Sequence, residues 1–381
     1  MPIYKVEGIK KDGLQKYKVR MNYTNTNGAI RQLTRVAYGL DEAKDLEQKL
    51  LGEIKEKLDG PFGRTTMQQL FTEYIATKKH DVRKTTAQKY EKEYELYIKP
   101  QLESVKLCKI TIPALQKWKS YIEGLKICLT TRNHAYSTLR ILLNYAVRME
   151  YIPNNPLTAL GCFKDAEYSK TEMMYYTASE FLSYIDTVKQ YAEKRESECR
   201  NLSEWDYYVF FYIAFYTGMR KGEILALKWN DLDDEYIMVR RSIQQKVNGG
   251  EDIETPPKSK SSIRTLQAPL PLLKVLNEHR ERQKHIGKFT DDYRICGGQQ
   301  CIKGTSLGDK NRFYATMSGQ KSIRVHDFRH SHVSVLANEG INIQEIARRL
   351  GHAKVEITWN TYSHLYPREQ EKAVDILNKI T

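Results

Sequence analysis

His326–His352 reads HDFRHSHVSVLANEGINIQEIARRLGH, and NTYSHL follows at Asn360–Leu365. His326 and Arg329 are one helical turn apart, so both side chains can reach a common ligand. Val333, Leu336, Ile341, Ile343 and Ile346 predict a helix, a break at Gly340 and a second helix. That second helix delivers His352 just past Gly351. Tyr362 lies beyond it in a polar segment, and Tyr366, its nearest competitor, is expected to pack. Guanidinium groups fork onto phosphate oxygens, imidazoles donate or accept protons, and a phenol can attack phosphorus. This is the side-chain set that phosphoryl transfer without a metal needs. A phenol with a pKa near about 10 needs cations and a proton acceptor beside it to do so.

A second arginine sits upstream in TGMRKGE, Thr217–Glu223. Gly218 lets the chain turn into a new helix, with Arg220 among the exposed amides of its first turn, a place suited to anions. Glu223 shares that face and can hold the guanidinium, while Ile224 and Leu227 face the core. Other readings of these motifs stand beside this one. His326 and His330, with His332 nearby, have the spacing of metal ligands, yet no carboxylate or cysteine completes the set and Arg329 would repel a cation. INIQEIARRLGH could serve a helix-turn-helix reader, and the histidines could be structural.

Outward from these motifs, Lys and Arg number 61 against 47 Asp and Glu over 381 residues, a net +14 that favours a polyanionic partner. The hydrophobic fraction of 40% supports true cores and excludes a disordered chain. No apolar run could span a bilayer and MPIYKVEGIKKDG lacks a signal-peptide core, so a cytoplasmic, nucleoid-associated protein is expected. Cys108, Cys128, Cys162, Cys199, Cys296 and Cys301 form no CxxC pair, which predicts reduced, mostly buried thiols.

The opening reads as three basic strands, IYKVEGI, QKYKVRMNY and IRQLTRVAY, with turns at KKDG and NTNG. A helix capped by Asp41 follows, with Ala43, Leu46, Leu50 and Ile54 on its apolar face, and GPFGR, Gly60–Arg64, reads as a linker. From Thr65 to Leu160 four helical segments each begin with Thr, and the last stops before IPNNPL. Lys84, Lys89, Arg132, His134 and Arg140 lie on their polar faces. From about Tyr175 a larger, mostly helical domain begins. EWDYYVFFYIAFYTG within it is apolar all round and is expected to be buried. YIMVRRSIQQKV and SSIRTLQAPL alternate like strands around the turn at NGGEDIETPPKSK.

Taken in order, TGMRKGE with ALKWNDLD, HDFRH, LGH and TYSHL resemble the tyrosine recombinases, the integrase family of phages and conjugative transposons, over nearly the whole chain. The resemblance implies a multidomain, mainly α fold with small β-sheets. Residues 1–60 would be an arm-type DNA-binding domain, 64–162 a helical, SAM-like core-binding domain, and 170–381 a mixed α/β catalytic domain. The last two would close as a clamp around duplex DNA. It implies Arg220 and Arg329 as a phosphate clamp and Tyr362 as the nucleophile of a 3′-phosphotyrosine. His326 would assist proton transfer from the phenol, and His352 would hydrogen-bond the scissile phosphate. The family's general-acid lysine would be Lys258, with Lys260 the alternative in PPKSKSSIRTL. The following RTLQAPL departs from the more usual RTIPL, which leaves the hairpin register open.

No cofactor and no metal are expected. The partners implied are double-stranded DNA at attachment sites, a homotetramer on DNA held by the C-terminal tail PREQEKAVDILNKI (Ala373, Val374, Ile376, Leu377 and Ile380 apolar), and an excision factor. The activity implied is integration or excision of a mobile element. A type IB topoisomerase-like relaxing enzyme and a non-catalytic DNA-binding regulator are the alternatives.

Overall fold

The computed structural model describes residues 3–11, 14–24, 30–63, 65–78, 81–82, 84–164, 173–199, 202–247, 251–256, 262–285, 288–366, 374 and 377–378. The chain divides into two compact units, Met1–Ser169 and Lys170–Thr381.

In the first unit, β1 (Ile3–Lys11), β2 (Leu14–Thr24) and β3 (Ile30–Tyr38) form an antiparallel sheet in chain order. β2 and β3 pair in one unbroken register from Lys16↔Tyr38 to Thr24↔Ile30. Because side chains alternate across a strand, Tyr17, Val19 and Met21 share one face. There, with Leu33 and Ala37, they pack on Ala43, Leu46 and Leu50 of helix α1 (Leu40–Gly63). The helix runs on through Gly60, Pro61 and Phe62, the stretch expected to be a linker. Pro61 falls in the last turn, where its fixed φ is helical and only one backbone bond is lost. The turns at KKDG and NTNG include residues outside the described set.

Next come α2 (Met67–Lys78), α3 (Lys84–Glu93), α4 (Lys99–Leu102), α5 (Ile112–Gly124) and α6 (Leu129–Arg148). Two of the expected threonine starts are true caps. Thr66 Oγ1 accepts from the Gln69 amide at 3.3 Å while Gln69 returns a bond to the Thr66 amide at 2.9 Å. Thr111 caps α5 through the Ala114 amide. α3 and α6 begin upstream of their threonines, at Lys84 and Leu129. Leu70, Tyr94, Ile98, Trp118, Leu139 and Leu143 fill the core of this bundle.

The second unit is built on α7 (Ala178–Cys199) and α8 (Ser203–Thr217). α8 is apolar all round as the sequence predicts, with Val209, Phe210, Phe211, Ile213 and Ala214 all buried. A short helix α9 (Lys221–Ala226) precedes β4 (Leu232–Asp233), β5 (Tyr236–Val239), β6 (Ser242–Val247), β7 (Glu251–Thr255) and β8 (Arg264–Gln267). β4, β5 and β8 make one antiparallel sheet, and β6 and β7 a separate hairpin. YIMVRRSIQQKV is therefore two strands, where its alternation reads as one. Arg240 and Arg241 both bond the buried carboxylate of Asp231. Neighbours in a continuous strand point to opposite faces, so the chain must bend there to bring both to one acceptor.

Helices α10 (Leu270–Lys284), α11 (Gly304–Met317), α12 (Asp327–Asn338), α13 (Ile343–Leu350) and α14 (Val355–Tyr362) complete the unit. Phe211, Tyr184, Tyr314 and Phe328 pack ring against ring at its centre. The thiols differ from expectation. All six are unpaired, but Cys108, Cys128, Cys162 and Cys199 are exposed, Cys301 is partly covered and Cys296 alone is buried. The exposed four lie at helix ends or in connecting segments, away from the cores. Among the described residues, no helix is long and apolar enough to cross a membrane.

Candidate active site

α8 ends at Gly218, whose φ of 62° is left-handed and whose amide closes the helix on the Ala214 carbonyl at 3.1 Å. The carbonyl of Gly218 accepts from Arg329 NH1 at 2.7 Å. Arg329 NH2 donates to the Leu350 carbonyl at 2.8 Å and to His352 Nε2 at 2.8 Å. One guanidinium thus ties together the ends of α8 and α13 and uses three of its five N–H donors on them. It is 3% exposed, and burial together with Arg220 pushes its pKa down to about 9. At neutral pH it remains a cation.

The backbone at Gly218 admits nothing larger. A Cβ there would stand 2.7 Å from His332 Cδ2 and 2.9 Å from Leu350 Cδ2. Gly218→Ala is expected to cost about 1–3 kcal/mol of stability from the left-handed φ and the overlap. A chemical-denaturation midpoint equal to that of the wild type would refute this.

Arg220 is the N-cap residue of α9. Its NH1 donates to Glu223 Oε1 at 3.0 Å and its amide to Oε2 at 3.0 Å. Arg264 on β8 reaches the same Oε2 at 2.9 Å. Burial alone would raise the Glu223 carboxyl, but Arg264 and Arg220 outweigh it and hold it below the usual range. Glu223 is therefore a fixed anion that aims a guanidinium whose side chain is still 40% exposed. That exposure leaves Arg220 free to take a ligand.

His326 opens α12 as its N-cap. The residue is exposed, yet partial desolvation of the ring, with Arg329 close by, lowers its pKa. His352 follows Gly351, the left-handed C-cap of α13. Its Nε2 accepts from Arg329, so the ring proton is on Nδ1, which donates to Thr358 Oγ1 at 2.8 Å. Burial, Arg329 and Arg220 push His352 down to about 4, so it is neutral.

Tyr362 ends α14 and is 2% exposed, its ring packed on Val333, Ala337, Ile346 and Leu350. Its hydroxyl lies 2.7 Å from His330 Nδ1. Burial pushes the phenol up to about 12, against the downward pull of Arg329. The hydroxyl's bonded partner is thus His330, where the sequence reading gives that duty to His326. His330 was legible only as one member of a histidine cluster. Tyr366 packs and donates to the Ile341 carbonyl at 2.9 Å. His332 is structural: its Nδ1 lies 2.8 Å from the Phe215 carbonyl, and burial and Arg349 push it down to about 3.

The structure brings Arg220, His326, Arg329, His352 and Tyr362 into one neighbourhood. Arg329 shifts the titration of His326, His352 and Tyr362 alike, and Arg220 acts on Arg329 and both histidines. Lys258 and Lys260 lie outside the described residues. So does most of the C-terminal tail, of whose apolar set Val374 and Leu377 are described and exposed. Among the described residues, no three His, Cys, Asp or Glu side chains gather as metal ligands.

The sequence pattern of the phage integrase family matches residues 185–369, which hold this whole neighbourhood, and that of the phage integrase N-terminal SAM-like domain matches residues 66–122. The chain belongs to the phage integrase family. Among curated relatives of this integrase, a XerC-like tyrosine recombinase of Caldanaerobacter subterraneus subsp. tengcongensis is 28% identical over 97% of each chain. The ICEBs1 integrase of Bacillus subtilis is 26% identical over 91% of each. The solved Tn1549 transposon integrase, in complex with a circular intermediate DNA, is similar in fold. Its TM-score is 0.67 at 17% identity, over 83% of this chain and 99% of that one. The integrase is accordingly a tyrosine recombinase, an enzyme of site-specific DNA recombination, and the topoisomerase and non-catalytic regulator readings are not favoured.

Proposed function

We propose that this integrase cuts and rejoins duplex DNA through a 3′-phosphotyrosine on Tyr362, integrating or excising a mobile element. The observation that carries the reading is the convergence on Arg329, which bonds His352, is electrostatically coupled to Arg220 and pulls on the Tyr362 hydroxyl. Arg220 and Arg329 neutralise charge as it grows on the non-bridging phosphate oxygens. His352 hydrogen-bonds the same phosphate as a donor, a role for which Nε2 must release Arg329 and carry a proton itself. His326, at the exposed end of α12, is placed to assist proton transfer around the phosphate but is not the group bonded to the phenol. Lys258, or Lys260, protonates the leaving 5′ oxygen.

The bond energy stays in the phosphotyrosine, so rejoining needs neither nucleotide nor metal. In the first unit, the face of β2 opposite α1 carries Lys18 and Arg20, with the Arg20 guanidinium 5.9 Å from the Tyr4 ring centre. We assign this sheet, residues 1–60, to arm-type DNA sites. The helical module 64–162 is assigned to the core site, and the catalytic domain 170–381 to the point of cleavage. Exchange between two duplexes breaks four strands and each break needs one tyrosine, which supports a homotetramer joined by the C-terminal tails. An excision factor would set the direction. The complex of the Tn1549 transposon integrase with DNA supports this choice of substrate.

Incubation with a nicked suicide duplex bearing the attachment site, in EDTA, is expected to give a covalent protein–DNA adduct that survives denaturing electrophoresis. An adduct that forms only when magnesium is restored would overturn the metal-free mechanism.

A further inference from the structure

Among the described residues, His330 is the imidazole that bonds the Tyr362 hydroxyl. We propose that His330 is the group that takes the proton from Tyr362 as its oxygen attacks phosphorus, an inference that rests on Tyr362 being the nucleophile. His330 lies on α12 one residue past Arg329, and Tyr362 comes to it from α14 across a 2.7 Å contact. The Asp327 carboxylate beyond the far side of the ring favours the tautomer with its proton on Nε2, which leaves Nδ1 to accept from the phenol. Nε2 faces the buried carboxylate of Asp327 at 3.8 Å, which favours the imidazolium as it forms. The side chain is 14% exposed, so water competes little for Nδ1.

His326 is placed differently. Its ring meets His330 edge to face, with centroids 5.4 Å apart, and stands at the exposed start of the helix. The two histidines therefore divide into an outer one that can meet DNA and an inner one that holds the phenol.

The step balances. The Tyr362 oxygen–phosphorus bond forms while the phosphorus–O5′ bond breaks. The phenolic proton moves to His330 Nδ1, and the leaving oxygen takes a proton from the general acid assigned above. One phosphodiester replaces another, and rejoining returns the proton from His330 to the tyrosine. The charged or titratable groups around His330 are His326, Asp327, Arg324 and Arg329 from its own helix and the loop before it, and Tyr362 from α14. Burial and His326 keep it neutral in the free protein, pushed down to about 4. The charge of an arriving phosphate raises it toward a useful base.

The test is single-turnover cleavage of the suicide duplex by wild type and His330→Asn from about pH 6 to about pH 9. Asparagine can still accept a hydrogen bond near the Nδ1 position but cannot take a proton. The variant should bind DNA as the wild type does and cleave about 10²–10⁴-fold more slowly at neutral pH. Its rate should climb about tenfold per pH unit, because the phenol must then ionise unaided, while the wild-type rate stays level. Replacing the bridging 5′ oxygen by sulfur, which leaves without a proton, should not restore it.

A variant profile parallel to the wild type, or rescue by sulfur, overturns the assignment. His330→Gln, assayed in the same way, is the second variant should asparagine unfold the site, which the DNA affinity and unfolding midpoint report. An adduct formed by Tyr362→Phe would sink the nucleophile reading itself. A wild-type adduct with a parallel His330→Asn profile sinks His330 alone.

Discussion

Tyr362→Phe is expected to bind the attachment site normally and to form no covalent link to it. The ring is retained, so its packing on Val333, Ala337, Ile346 and Leu350 survives. What is lost is the hydroxyl and its bond to His330. The imidazole left without a partner costs about 1–3 kcal/mol, well short of unfolding a domain with so large an aromatic core. Cleavage should fall by on the order of 10⁶-fold, the scale seen when a nucleophile is removed from a set of groups that act together. Gel shift measures the binding, and denaturing electrophoresis of labelled DNA the linkage. Adduct formed by the variant would move the nucleophile elsewhere, with Tyr366 the first to check.

Arg329→Lys is expected to lose both stability and chemistry. Lysine keeps the charge but not the fork, and Arg329 spends its fork on the Gly218 carbonyl, the Leu350 carbonyl and His352 at once. A single ammonium cannot span the three. Each buried carbonyl left unpaired costs about 1–3 kcal/mol. The loss of a preorganised donor to the transition state should slow cleavage a further 10²–10³-fold or so, about 3–4 kcal/mol. Denaturant titration and single-turnover cleavage separate the two effects. A lysine variant with wild-type stability would show that the guanidinium does not hold the ends of α8 and α13 together.

These two residues mark where reading the chain succeeds and where it stops. Spacing on one helix is a local property. Hence His326 and Arg329 could be placed one turn apart from HDFRH alone, and Gly218 and Gly351 could be read as turning points because left-handed backbone favours glycine. The burial of α8 was legible for the same reason, since a helix apolar on every face has no side to show water. Periodicity was less informative where a tertiary partner intervened. Nothing in YIMVRRSIQQKV reveals that Arg240 and Arg241 share Asp231 and split the strand. The linker reading of GPFGR failed because glycine and proline are tolerated at the end of a helix that is already packed.

By itself the amino-acid sequence determined a set of candidate side chains, their order and the helices that carry most of them, because each depends on neighbours a few residues away. Which histidine meets the phenol depended on how α14 lies across α12. His326 and His330 sit one turn apart on the same helix, and only the angle and height of that crossing decide that the hydroxyl ends 2.7 Å from His330. Packing between elements distant in sequence settles such a choice, since it balances contacts that no local spacing encodes.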